Sequence, residues 1–121
     1  MNREGTITIT KSLAMNQEEC GTLIGIKGDL IGKYYKVSPN RRLLIGRDAA
    51  RCDIVMTNMA VSGVHFEVQY DPNTKQYTVT DLSSNGMIQD HATRLRKNEP
   101  VTVAPGTSFL IGSNDDEIIL G

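Results

Sequence analysis

The sequence predicts an all-β fold, a sandwich or a barrel. Three observations predict it. Short apolar runs succeed one another from Thr22 to the end of the chain, separated by turn residues. Two of these runs, VHFEVQY and QYTVTDL, alternate strictly in the manner of half-buried strands. No amphipathic pattern of helix length occurs after Thr22.

Residues 1–20 differ from the rest of the chain. TITIT at 6–10 alternates Thr and Ile, and KSLAMNQEEC behind it is mixed and polar. This stretch reads as an N-terminal arm, either flexible or an extra strand, ahead of one domain at 21–121. The expected strands are TLIGI (22–26), GKYYKV (32–37), RLLIGR (42–47), DIVM (53–56), VHFEVQY (64–70) and QYTVTDL (76–82). They continue with GMIQ (86–89), TRL (93–95), PVTV (100–103), SFLIG (108–112) and EIIL (117–120). The separators Lys27-Gly28-Asp29, Pro39-Asn40, Asp71-Pro72-Asn73, Asn85-Gly86, Pro105-Gly106 and Asn114-Asp115 all carry turn chemistry. DPNTK joins two alternating runs and predicts a hairpin. Alternation turns Phe66, Val68, Tyr77 and Val79 inward, and sets His65, Glu67 and Gln69 on the opposite, polar face.

With 121 residues the chain matches the usual size of one domain. Thirteen Lys and Arg against 14 Asp and Glu give a net charge of -1. Nothing here attracts nucleic acid, and an anion site has to be local. Cys20 and Cys52 lie far apart without CxxC spacing. They read as reduced thiols in a cytoplasmic protein, not as zinc ligands or a disulfide. MNREGTITIT lacks the apolar core of a signal peptide, and no apolar run approaches the roughly 20 residues of a membrane helix. No direct membrane insertion is expected.

Ser62 and His65 in VSGVHFEV raise the question of a hydrolase. A Ser nucleophile needs a base within about 3 Å and an orienting third group. Residues three apart on a strand point to opposite faces. The GxSxG elbow is missing, and His91 lies in the polar loop QDHATR. No metal site, cofactor or enzymatic activity is expected.

Three loops point instead to an anion. Gly46-Arg47-Asp48 ends an apolar strand, and a guanidinium there offers a phosphate two parallel hydrogen bonds. VSGVH places the Ser62 hydroxyl just ahead of a strand, where it can donate to an oxygen anion. LSSNG carries an Asn-Gly turn whose amide can bridge to a peptide backbone. Loops at one end of a sandwich cluster in space.

Gly-Arg, then Ser-x-x-His, then Asp-Leu-Ser-Ser-Asn-Gly, on an all-β background, resembles the forkhead-associated (FHA) domains. The resemblance spans roughly residues 21–120. It implies an eleven-stranded β-sandwich of two antiparallel or mixed sheets, with the functional loops at one end. It also implies recognition of phosphothreonine peptides in bacterial signalling or secretion, dependent on a Ser/Thr protein kinase. In that scheme Arg47 and Ser62 hold the phosphate, Ser84 adds a contact and Asn85 holds the peptide main chain. Gly46, Gly86 and His65 are structural, His65 tying the loops together. One position departs from the pattern. Where binders often carry Arg, Lys or Asn after the serine, this chain has Gly63, which offers only its backbone. Arg41, Arg42, Arg51 and Asn58 are the candidates to substitute. The alternative is an FHA-like domain that binds its partner independently of phosphate. Thr6, Thr8 and Thr10 make the arm itself a candidate phosphorylated ligand. The acidic loop Asn114 to Glu117 is expected to favour a basic residue in the bound peptide.

Overall fold

The computed structural model describes residues 19–121. The arm threonines Thr6, Thr8 and Thr10 lie outside the described residues. Among the latter, eleven strands form. They are β1 (Gly21–Lys27), β2 (Tyr34–Val37), β3 (Leu43–Gly46), β4 (Ile54–Val55), β5 (Phe66–Asp71) and β6 (Gln76–Asp81). They continue as β7 (Met87–Gln89), β8 (Thr93–Arg94), β9 (Val101–Val103), β10 (Ser108–Ile111) and β11 (Glu117–Leu120). Each falls on one of the expected runs; most are shorter by a residue or two, β11 matches its run, β1 extends to Gly21 and Lys27, and β5 begins later, at Phe66, and runs on to Asp71. A 3-10 turn, Gly28–Leu30, appears where a plain turn was expected.

One sheet has the order β2-β1-β11-β10-β7-β8 and the other β4-β3-β5-β6-β9. All pairings are antiparallel except β3 with β4, where Ile45 faces Ile54 in parallel. Alternation sets which side chains meet between the sheets. Phe66, Val68, Tyr77 and Val79 from one pack against Leu23, Phe109, Ile111, Ile118 and Leu120 from the other, and all are essentially inaccessible. Full burial of a side chain of this size stabilises by about 1.5–3 kcal/mol. Tyr77 adds a polar tie: its hydroxyl accepts from the Thr22 N–H at 2.8 Å and donates to the Gly121 carbonyl. Among the described residues no buried side-chain polar atom lacks a partner.

This pairing fixes which loops share an end. Ile45 lies opposite Phe66, and Phe66 opposite Asp81. The chain therefore leaves β3, enters β5 and leaves β6 at one end of the sandwich. Glu19 marks the opposite end, where it accepts from the Tyr70 hydroxyl at 2.8 Å.

Candidate functional site

Gly46 closes β3 without a side chain, and a Cβ there would collide with the Gly63 carbonyl oxygen. The absent methyl lets two loops lie edge to edge. The Arg47 N–H donates to the Ser62 carbonyl at 3.0 Å and the Asp48 N–H to the Gly63 carbonyl at 2.9 Å. The Cys52 thiol donates to the same Gly63 oxygen at 3.1 Å. Burial pushes that thiol's pKa up, which keeps its proton on the sulfur.

Arg47 projects from this seam into an open groove of about 340 Å³. The groove is lined by Arg47, Met59, Ala60, Val61, Ser62, Gly63, Ser84 and Asn85. The Arg47 Nε donates to the Val61 carbonyl at 2.6 Å, and Nη1 lies 3.6 Å from the Met59 sulfur. The Nε bond orients the fork, while a thioether is a weak acceptor that an anion readily displaces. Ser62 Oγ accepts from the Ser84 N–H at 3.1 Å, which leaves the hydroxyl proton to donate. Asn85 Nδ2 donates to the Ala60 carbonyl at 2.9 Å, leaving Oδ1 to accept from a peptide N–H. Cationic and hydroxyl donors thus converge beside an amide with an unused acceptor. That arrangement suits a tetrahedral oxyanion attached to an extended peptide.

His65 braces the groove from beneath and is fully buried. The expected polar-face position is overturned, because β5 begins only at Phe66 and His65 still belongs to the loop. The Ser62 backbone N–H donates to Nδ1 at 3.0 Å, and Nε2 lies 3.0 Å from the Gly86 carbonyl. An N–H cannot accept and a carbonyl cannot donate, so the ring is neutral with its proton on Nε2. Ser62 and His65 do meet, but through the serine backbone. Among the described residues the Ser62 hydroxyl is paired with the Ser84 N–H and not with the His65 ring, so the two do not form a nucleophile–base pair.

Desolvation holds the His65 pKa below its ordinary 6.5, against the Gly86 carbonyl and Asp81, which act the other way. The unfolded chain therefore takes up a proton that the folded chain refuses. This stability is present above pH 6.5 and is lost as pH falls through it, by up to about 1.4 kcal/mol per pH unit. Urea denaturation should show a lower midpoint at pH 5.5 than at 7.5, and His65→Gln should lose that difference. Equal wild-type midpoints would contradict a neutral His65.

The Asp-Leu-Ser-Ser-Asn-Gly loop is held from inside. Asp81 accepts from the Ser83 hydroxyl at 2.6 Å and the Ser83 N–H at 3.0 Å, and Ser83 Oγ accepts from the Gly86 N–H at 2.7 Å. Gly86 takes φ 88°, the left-handed conformation that Asn-Gly promised. Arg94 crosses this turn and donates to the Asn85 carbonyl at 3.1 Å.

A second brace comes from the other sheet. Burial raises the Asp29 pKa, but the backbone N–H groups of Asn58 and Thr57 outweigh it, and the carboxyl sits below the usual range. Both N–H groups donate to Asp29 Oδ2 at 2.8 Å. Asp116 accepts from the Asp29 N–H and from Asn58 Nδ2, each at 2.7 Å. The loop that presents Met59, Ala60 and Val61 to Arg47 is thereby pinned at its base.

Arg47, Ser62, Gly63, Ser84 and Asn85 line one groove, with Gly46, His65 and Gly86 behind them. Arg41 and Arg42 stand at the opposite end of β3, committed to Asp53 at 2.8 Å and Glu67 at 3.6 Å. Asn58 is near, but its amide is held in place from both sides, Nδ2 serving Asp116 and Oδ1 accepting from the Ala60 N–H at 2.9 Å. Of the acidic loop, Asp116 and Glu117 turn inward, Glu117 pairing with His91 at 2.6 Å. Only Asn114 and Asp115 remain exposed. Sequence reasoning missed Met59, Arg94 and the bracing pair Asp29 and Asp116. Ser83 was within reach, as Asp-x-Ser ahead of Asn-Gly is a local turn signal.

The FHA domain profile matches residues 43–112, more than half of the chain. The chain belongs to the FHA domain family. FHA domains are binding modules rather than enzymes. A comparison with curated protein sequences finds no match. Solved FHA domains share the fold. That of the CT664 protein from Chlamydia trachomatis is 19% identical with a TM-score of 0.73, covering 84% of this chain and 96% of its own. A hypothetical protein from Arabidopsis thaliana is 21% identical, with a TM-score of 0.74 and 84% of both chains covered. The N-terminal FHA domain of Rad53p from S. cerevisiae, solved with a phosphothreonine peptide, is 18% identical with a TM-score of 0.69. It covers 84% of this chain and 92% of its own. No helix among the described residues is long and apolar enough to cross a membrane.

Proposed function

We propose that this FHA domain recognises phosphothreonine peptides and mediates protein–protein interactions that depend on a Ser/Thr protein kinase. It acts in bacterial cytoplasmic signalling or secretion, without enzymatic activity of its own. One observation carries the reading. Arg47, Ser62, Ser84 and Asn85 surround one groove, with hydrogen-bonding capacity left over after the protein's own bonds are counted. A phosphate carries close to two charges and three strong acceptor oxygens, and so matches those donors.

The test is retention of a degenerate phosphothreonine peptide library against the same library without phosphate. The phosphorylated library is expected to be retained selectively. Ser62→Ala should weaken the best peptide about tenfold, at the lower end of a charge-assisted hydrogen bond. Equal retention of both libraries would favour a phosphate-independent partner.

The arm is a second ligand by the same reading. It starts from Glu19, at the end of the sandwich away from Arg47. Thirteen residues of extended chain span about 43 Å, enough for Thr6 to round a sheet of roughly 20 Å. Thr10, with nine residues, has less slack. A chain phosphorylated on the arm should lose affinity for the library-selected peptide in that same assay, through a high effective concentration.

A further inference from the structure

Gly63 is the position where the groove wall has no side chain. It is not empty space. A Cβ on Gly63 would lie 3.0 Å from Arg51 Nη2 and 3.8 Å from the Asp48 Cβ. The guanidinium of Arg51, from the β3–β4 turn, therefore stands where a residue-63 side chain would begin, next to Ser62. The backbone at 63 does not adopt a positive φ, so conformation alone does not require glycine there. The glycine makes room for the arginine.

Arg51 is held without being used up. Asp48 Oδ2 accepts from Nε at 2.7 Å, and Asp48 Oδ1 accepts from the Ala50 N–H at 2.9 Å. The Arg51 and Cys52 N–H groups both donate to the Asp48 carbonyl, at 3.1 and 2.9 Å. These bonds anchor the stem of the fork. Among the described residues no hydrogen bond engages Nη1 or Nη2, and the side chain is 63% exposed. The other three candidates are engaged elsewhere and bring no free cation to the groove. Arg41 and Arg42 sit at the far end of β3 on Asp53 and Glu67, and Asn58, a neutral amide, is held by Asp116 and the Ala60 N–H.

We propose that Arg51 supplies the second cationic contact to the bound phosphate, reaching over Gly63 from the β3–β4 turn. The inference rests on the phosphopeptide reading above. The phosphate then lies between Arg47 and Arg51, with the Ser62 hydroxyl between them. Asp48 offsets part of the Arg51 charge, so Arg51 contributes less than Arg47.

The probe is the single phosphothreonine peptide that the wild-type domain selects from the degenerate library, beside its unphosphorylated form. Arg51→Ala should weaken the phosphorylated peptide roughly tenfold, leaving the unphosphorylated one unchanged. Arg51→Lys should fall between, keeping the charge without the fork. Arg51→Ala with Gly63→Arg should recover most of the affinity, because removal of the guanidinium vacates the space a side chain at 63 needs. Phosphorus NMR of the bound peptide gives an independent readout. A nearby cation favours the dianion, so the second phosphate pKa should rise when Arg51 is removed.

Wild-type affinity in Arg51→Ala overturns the inference and leaves the function standing. So does a loss in Arg51→Ala with no change in the phosphate pKa, which marks a structural role. A wild-type domain that ignores phosphate overturns the function and this inference with it.

Discussion

Arg47→Ala is expected to lower affinity for the selected phosphothreonine peptide by at least thirtyfold, with unfolding midpoint nearly unchanged. Removing one partner of a desolvated, hydrogen-bonded charge pair costs about 2–5 kcal/mol. Arg47 is exposed, and among the described residues its side chain bonds to a backbone carbonyl and a thioether. Neither supports the fold strongly, so the loss falls on binding. Arg47→Lys should recover little. An ammonium cannot donate to Val61 as Nε does while presenting a planar fork to the phosphate. Calorimetric titration of both variants checks this. Affinity within threefold of wild type for Arg47→Ala would place the phosphate elsewhere.

The readable part of this protein was the part written locally. Alternation in VHFEVQY and QYTVTDL, and turn chemistry between runs, depend on neighbours in sequence, and β5 and β6 fell where they were expected. Arg47, Ser62 and Asn85 were legible for a related reason. Each sits close to a strand end or turn, so its position is set once the strands are placed. His65 shows the limit. Its place in an alternating run assigned it to an outer face, but the run outlasts the strand. The ring is buried because Ser62 and Gly86 offer it one donor and one acceptor.

Arg51 and Gly63 illustrate a second kind of limit. They are far enough apart that only the close approach of two loops, permitted by Gly46, puts the guanidinium over the glycine. The sequence shows a missing side chain at 63. The fold shows what fills its place. In the acidic loop, likewise, only topology reveals which of four polar residues in a row face Asn58 and His91.

Asp116→Ala should cost about 2–4 kcal/mol of stability, a large share of the roughly 5–15 kcal/mol of an ordinary domain. Asp116 is 1% exposed and accepts two hydrogen bonds, from the Asp29 N–H and Asn58 Nδ2. Truncation leaves both donors without a partner in a place that water reaches poorly. Asp116→Asn is sharper, because it keeps the shape. Its Oδ1 still serves Asp29, but its amide nitrogen meets the amide nitrogen of Asn58. If Asn58 flips to cure that clash, it surrenders its Oδ1 bond to the Ala60 N–H. Adding Asn58→Asp reverses the polarity of the pair and satisfies every group again: position 116 donates, and position 58 accepts from both position 116 and Ala60. The double variant should therefore be more stable than Asp116→Asn alone, with a coupling of about 1–2 kcal/mol in a urea double-mutant cycle. Affinity for the phosphothreonine peptide should rank the variants in the same order, because Ala60 is the residue whose carbonyl holds Asn85. Additive single effects would show that Asp116 and Asn58 do not act as a pair, and that the groove loop takes its shape from elsewhere.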